Sequence, residues 1–127
     1  MISTGIDGEE SHTTVDATPV NKVLFEGNPD STINARILIL CRRPSDGVSK
    51  GWDITALMRR EGSGNAENLG ISAAGSAAYG AAGDLTALSG ATIAFFGSGG
   101  NIGVTITGIA GQTLNWGIML RGNQVID

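Results

Sequence analysis

The chain has 127 residues, enough for one domain with a real core. Hydrophobic residues make up 41%, which excludes a disordered chain, and no apolar run approaches the length of a membrane span. With 8 Lys plus Arg against 12 Asp plus Glu, the net charge of −4 argues against a protein that grips nucleic-acid phosphates.

The opening "MISTGIDGEESHTT" lacks the basic start and apolar h-region of a secretory signal. It is polar throughout, and Met1 to about Val20 is expected to form an extended N-terminal arm. Residues 21–127 are then a single domain. "NKVLFEG" reads as its first short strand, and "STINARILILCRR" as its second. There Ile33, Ala35, Ile37, Ile39 and Cys41 share one face; Arg36, Leu38, Leu40 and Arg42 share the other. With leucines on the second face too, this strand is expected to be covered on both sides.

Pro44 and Asp46-Gly47 mark a turn. "GWDITALMRR" follows, with Trp52, Ile54, Ala56 and Met58 on one face. The two apolar sets share a face only if opposed residue numbers sum to an odd value. Symmetric closure of the loop pairs Cys41 with Ile54, Ile39 with Ala56 and Ile37 with Met58. That register sets Arg42 beside Asp53, worth ~0.2–1 kcal/mol, and opposes Arg36 to Arg59, which is unfavourable.

Gly70 to Gly90 is rich in Ala, but Gly75, Gly80 and Gly83 interrupt it and no apolar stripe has helical spacing. It is expected to be a long connection with at most a short turn of helix. "ATIAFF" reads as a strand. Then Ile102, Val104 and Ile106 form one apolar face, and Leu114, Trp116, Ile118 and Leu120 another. All are even-numbered, so a hairpin through "GIAGQ" is expected to set Val104 opposite Trp116. Truncating such a buried Trp to Ala costs roughly 3–5 kcal/mol. The expected core is therefore Ile37, Ile39, Trp52, Ile54, Val104, Ile106, Leu114, Trp116 and Ile118. With 20 Gly, 3 Pro and no convincing helix, the fold class is all-β: an antiparallel β-sandwich or jelly roll.

Chemistry is sparse. His12 is the sole histidine and has no Cys near it, so it reads as an exposed residue rather than a catalyst or metal ligand. Cys41 is the sole cysteine, which excludes an internal disulfide and fits synthesis in a reducing cytoplasm. The arginines after it favour a thiolate, yet it reads as a small buried hydrophobe. "FFGSGGNIG" has the glycines of a nucleotide loop, but a strand follows where a helix N-terminus is needed. "DGEE", Asp7 to Glu10, lacks the alternating oxygens of a calcium loop. No spacing brings Asp53, Glu61, Glu67 or Asp84 together as an acid–base pair. The sequence predicts no enzyme, no catalytic residue, no metal and no cofactor.

Three segments carry a resemblance: "TTVDATPVNKVLFEG", "ARILILCRRPSDGVSKGWDITALMRREG" and "VTITGIAGQTLNWGIML". Their shared features are a Thr/Pro/Leu start from Thr14 to Leu24, strands ending in Arg42-Arg43 and Arg59-Arg60, and a segment from Thr107 to Trp116. Together they resemble a β-rich domain of tailed-bacteriophage virion proteins, often of tail-fibre type. The resemblance implies a non-enzymatic virion structural protein. Because the domain fills almost the whole chain, a free-standing capsid decoration or cement protein is expected, made in the host cytoplasm and placed on the capsid surface. Its implied partners are the major capsid protein and further copies of itself, as a homotrimer, with no nucleic acid and no membrane. The alternatives are a tail-fibre or receptor-binding tip, with Trp52, Tyr79 and Trp116 as a carbohydrate-stacking surface, and a small jelly-roll hydrolase.

Overall fold

The computed structural model describes residues 1–73 and 78–127. The chain order is β1 (Ile2–Thr14), β2 (Val20–Glu26), β3 (Ser31–Arg42), β4 (Ser49–Arg60) and β5 (Ala66–Ala73). A short 3-10 turn (Ala78–Gly80) follows, then β6 (Ala82–Gly83), β7 (Thr92–Ser98), β8 (Asn101–Thr107) and β9 (Leu114–Ile126). The larger sheet runs β1-β9-β3-β4-β5, with the two-residue β6 also on β4; the smaller runs β2-β8-β7. Every pairing is antiparallel. This is the β-sandwich that the alternating pattern predicts.

Alternation sets the layers. In β3 the burial pattern alternates strictly from Ser31 to Arg42, and Ile33, Ala35, Ile37, Ile39 and Cys41 all point into the sandwich. Ile37, Ile39, Trp52, Ile54, Val104, Ile106, Leu114, Trp116 and Ile118 are all buried, none more than 4% exposed. The outer face of β3 is open, however. Leu38 and Leu40 are 38% and 55% exposed, so the strand is covered on one side and not on both.

Strand pairing departs from the expectations in two places. The β3–β4 register sets Ile39 opposite Trp52, Ile37 opposite Ile54 and Ala35 opposite Ala56. The odd parity holds, but the strands are four residues out of the symmetric-closure register because the turn is tighter. Arg43 N–H donates to the Val48 carbonyl at 2.8 Å, Gly47 turns at φ 76°, and Asp46 accepts from the Val48 amide at 3.2 Å. This register separates Arg36 from Arg59, although Arg36 stands opposite Arg121 of β9 on its other side. Arg36 faces Thr55 and grips Asp53 through two hydrogen bonds of 2.9 and 2.6 Å; Arg59 pairs with Glu67 and Glu61.

The second departure concerns β8 and β9, which do not form a hairpin. β8 lies in the small sheet and β9 in the large one, so "GIAGQ" crosses between layers. Their even-numbered faces are both buried in the one core, from different sheets rather than within one. Arg43 braces the crossover by donating to the Gln112 side chain at 2.8 Å.

The expected arm is also corrected. Residues 2–14 pair with β9 along their whole length, from Ile2 opposite Ile126 to Thr14 opposite Leu114. A strand at a sheet edge needs few apolar residues, and Ile6 and Thr14 supply the inward contacts here. In the Gly70–Gly90 stretch the chain is strand through Ala73, the short 3-10 turn, β6, and then turns that seat Leu88 and Ala91 in the core. The part of that expectation on residues 74–77 lies outside the described residues.

The sandwich edge between β5 and β7 is closed by contact of main chains. Ala66 N–H donates to the Gly99 carbonyl at 2.7 Å, and a Cβ at Gly97 would collide with the Ala66 carbonyl. Gly97→Ala is therefore expected to lower the unfolding free energy by about 1–3 kcal/mol, since backbone must shift to admit the methyl group. Denaturant melts at fixed pH check this, and an unchanged midpoint contradicts the close approach.

Candidate functional site

Two regions carry polar chemistry next to apolar surface: one end of the core, and the outer face of the large sheet.

In the core, the strand register places Trp116, Cys41 and Lys50 side by side on β9, β3 and β4. Trp52 lies one step further along β4. Its ring stacks on that of Trp116 across β3, with centroids 5.8 Å apart and planes 13° from parallel. The Trp116 indole N–H donates to Thr14 Oγ1 at 3.0 Å, tying β9 to the edge strand. Lys50 is only 8% exposed. Its Nζ sits 5.2 Å from the Trp52 ring centroid and donates to the carbonyls of Leu88, at 3.2 Å, and Ala91, at 2.7 Å. A buried ammonium needs such partners, and here they hold the turn before β7 against the end of the sandwich.

Burial pushes the Cys41 thiol up to about 11, against the pull of the nearby Lys50 charge. Burial likewise pushes Lys50 below the ordinary lysine value, opposed by Cys41. A protonated thiol in an apolar site is a poor nucleophile, so the arginines that follow Cys41 in sequence do not activate it. Sequence reasoning missed Lys50. The signal was present: it shares parity with Trp52 and Ile54, so extending that apolar face by one step places a lysine in the core.

The other singled-out residues lie apart. His12 is half-buried on β1, opposite Trp116. "FFGSGGNIG" is the β7–β8 hairpin. Asp53 and Glu67 are held by arginines, and Asp84 accepts from the Ser49 amide at 2.9 Å. Among the described residues, no three His, Cys, Asp or Glu side chains cluster to hold a metal ion. Tyr79 is 36% exposed and meets Phe95 edge-on at 5.5 Å, apart from the two buried Trp rings.

On the outer face, Leu38, Leu40 and Met119 line a groove of about 940 Å³. The Gly80–Ala82 stretch walls one side, and β1 the other, through Glu9 and Glu10. A hollow of about 170 Å³, lined by Asp7, Glu9, Met119 and Arg121, adjoins it. Of the carboxylates here, Asp53 is taken by Arg36, and Glu10 lies 3.7 Å from Lys22. Asp7, Glu9 and Arg121 form no ion pair within 4 Å among the described residues.

No protein-family model matches the sequence. No curated protein matches it either. Among solved structures, the chain is similar to the tailspike protein of Acinetobacter phage vB_ApiP_P1, at 11% sequence identity and a TM-score of 0.38. The overlay covers 96% of this chain but only 22% of the tailspike chain. A likeness at that level carries no argument about role.

Cys41 generates a pH dependence whose sign follows from its shift. Its native value, about 11, lies above the ordinary thiol value near ~8.5, so the unfolded chain loses the proton first. Stability is thus full below that ordinary value and falls as pH rises toward 11, by about 3 kcal/mol. Lys50 works in the opposite sense: its lowered value lets the native state shed a proton before the unfolded chain does. In Cys41→Val the alkaline loss is expected to vanish, leaving a flat or slightly rising profile. Urea melts between pH 8 and 10.5 check this; an identical decline in both proteins contradicts it.

Proposed function

We propose that this chain is a bacteriophage virion structural protein that decorates or cements a capsid, acting by surface complementarity rather than catalysis. The three sequence segments that resemble virion β-domains support this, together with the antiparallel sandwich that those segments build. The observation that carries the reading is the division between the two faces of the large sheet. Its inner face is committed to the core. Its outer face presents Leu38, Leu40 and Met119 to solvent at 38–55% exposure, an aliphatic surface suited to packing on another protein.

The same division weighs against a carbohydrate-binding tip. Glycan recognition by stacking needs exposed rings, and Trp52 and Trp116 are 4% and 2% exposed with their faces turned to each other. The partners in this reading are the major capsid protein and further copies of the chain, as a homotrimer on the capsid surface. No step requires a cofactor or metal.

Quantitative mass spectrometry of purified particles, reporting copies of this chain per copy of the major capsid protein, tests the assignment. A ratio on the order of one fits decoration or cement. A handful of copies per particle contradicts it and moves the chain to a tail or vertex.

A further inference from the structure

The groove on the outer sheet face has features that the fold itself does not require. Its floor is a row running Ser11, Gly117, Leu40, Gly51 across β1, β9, β3 and β4, beside a row running Glu9, Met119, Leu38, Asp53. Leu40 stands between two glycines. Neither Gly117 nor Gly51 has a positive φ, and a Cβ added at Gly117 would meet nothing within 4 Å. Glycine in mid-strand weakens a sheet, and it leaves room for another chain to approach closely. The missing side chains open the trough.

The charge around this trough is uneven. Arg36 neutralises Asp53, and Lys22 lies against Glu10. That leaves Asp7 and Glu9 with Arg121 as the one cation lining the hollow at the β1 end among the described residues, a local excess of one negative charge on a chain of net charge −4. Glu9 lies directly opposite Met119 in the register, so the unpaired carboxylate adjoins the apolar floor.

We infer that this groove is a docking site for a segment of a partner polypeptide carrying a lysine or arginine flanked by aliphatic residues. The aliphatic side chains pack on Leu38, Leu40 and Met119 beside Gly117, and the cation reaches Glu9. The inference deepens the virion reading and rests on it for the identity of the partner, while the chemistry of the groove is tested on the isolated protein. At about 940 Å³ the groove lies within the range of ~300–1,000 Å³ typical of sites that bury a ligand against apolar walls with a few polar groups.

The test uses two peptides, acetyl-Leu-Lys-Leu-amide and acetyl-Leu-Glu-Leu-amide, titrated into the purified protein and followed through its methyl NMR signals. The lysine peptide is expected to shift the Met119, Leu38 and Leu40 methyls and to bind roughly tenfold more tightly than the glutamate peptide. Glu9→Gln should remove most of that preference. Gly117→Val should abolish binding by filling the trough, while the melting temperature holds or rises by roughly 2–4 °C through better strand propensity. Equal binding of the two peptides overturns the inference. So do shifts confined to other methyls, a preference that survives Glu9→Gln, and binding retained by a folded Gly117→Val. Particle counts test the virion reading separately, so either idea can fail without the other.

Discussion

A single buried ammonium organises one end of this sandwich. Lys50 enters the core from β4 and binds the Leu88 and Ala91 carbonyls beside the Trp52 ring, which in turn stacks on Trp116. Through Trp116 the chain of contacts reaches Thr14 on the edge strand. Four elements that are distant in sequence are thus joined: β1, β9, β4 and the turn leading into β7. An ammonium buried without partners costs several kcal/mol, so the carbonyls and the ring are conditions of the arrangement and not additions to it. Cys41 between Trp116 and Lys50 fits the same logic, because a small, protonated side chain fills the space without adding charge.

The inward faces of β3, β4, β8 and β9, and the pairing of β3 with β4, were legible in the sequence; the exact register and the sheet partners of β8 and β9 were not. The even-numbered apolar sets of β8 and β9 look like two halves of a hairpin because a shared core and a shared sheet leave the same period-2 signature. Only the topology distinguishes them, and here the segment between the two strands crosses from one layer to the other. The β3–β4 register failed for a related reason. Parity is fixed by burial, but the offset is fixed by turn length, and Asp46 and Gly47 close a tighter turn than symmetric closure of "PSDGVSKG" assumes.

The edge strand was the hardest element to read. β1 needs only Ile6 and Thr14 inside, so its sequence looks like a polar tail although it pairs over thirteen residues. Lys50 is hidden in the sequence because a charged residue marks the apparent end of an apolar face, although its parity places it inside. The outer groove was partly visible, since Leu38 and Leu40 are conspicuous on the second face of β3. A second apolar face predicts a covered layer, whereas in the fold that layer is open. The proposed role depends on this difference: the molecule's chemistry is turned inward, and its outward apolar surface is what remains for a partner.

The measurement that tests the account most directly is the stability of Lys50→Met, by equilibrium unfolding near pH 7, with hydrogen exchange read at the amides of Leu88 and Ala91. Methionine keeps the packing volume but leaves the Leu88 and Ala91 carbonyls without their donor, so a loss of about 2–4 kcal/mol is expected, with protection at those amides falling first. Replacing a buried charge by an apolar side chain can instead stabilise a core. A variant as stable as the parent, or more so, with unchanged exchange at those amides, would contradict the claim that this ammonium holds the end of the sandwich together.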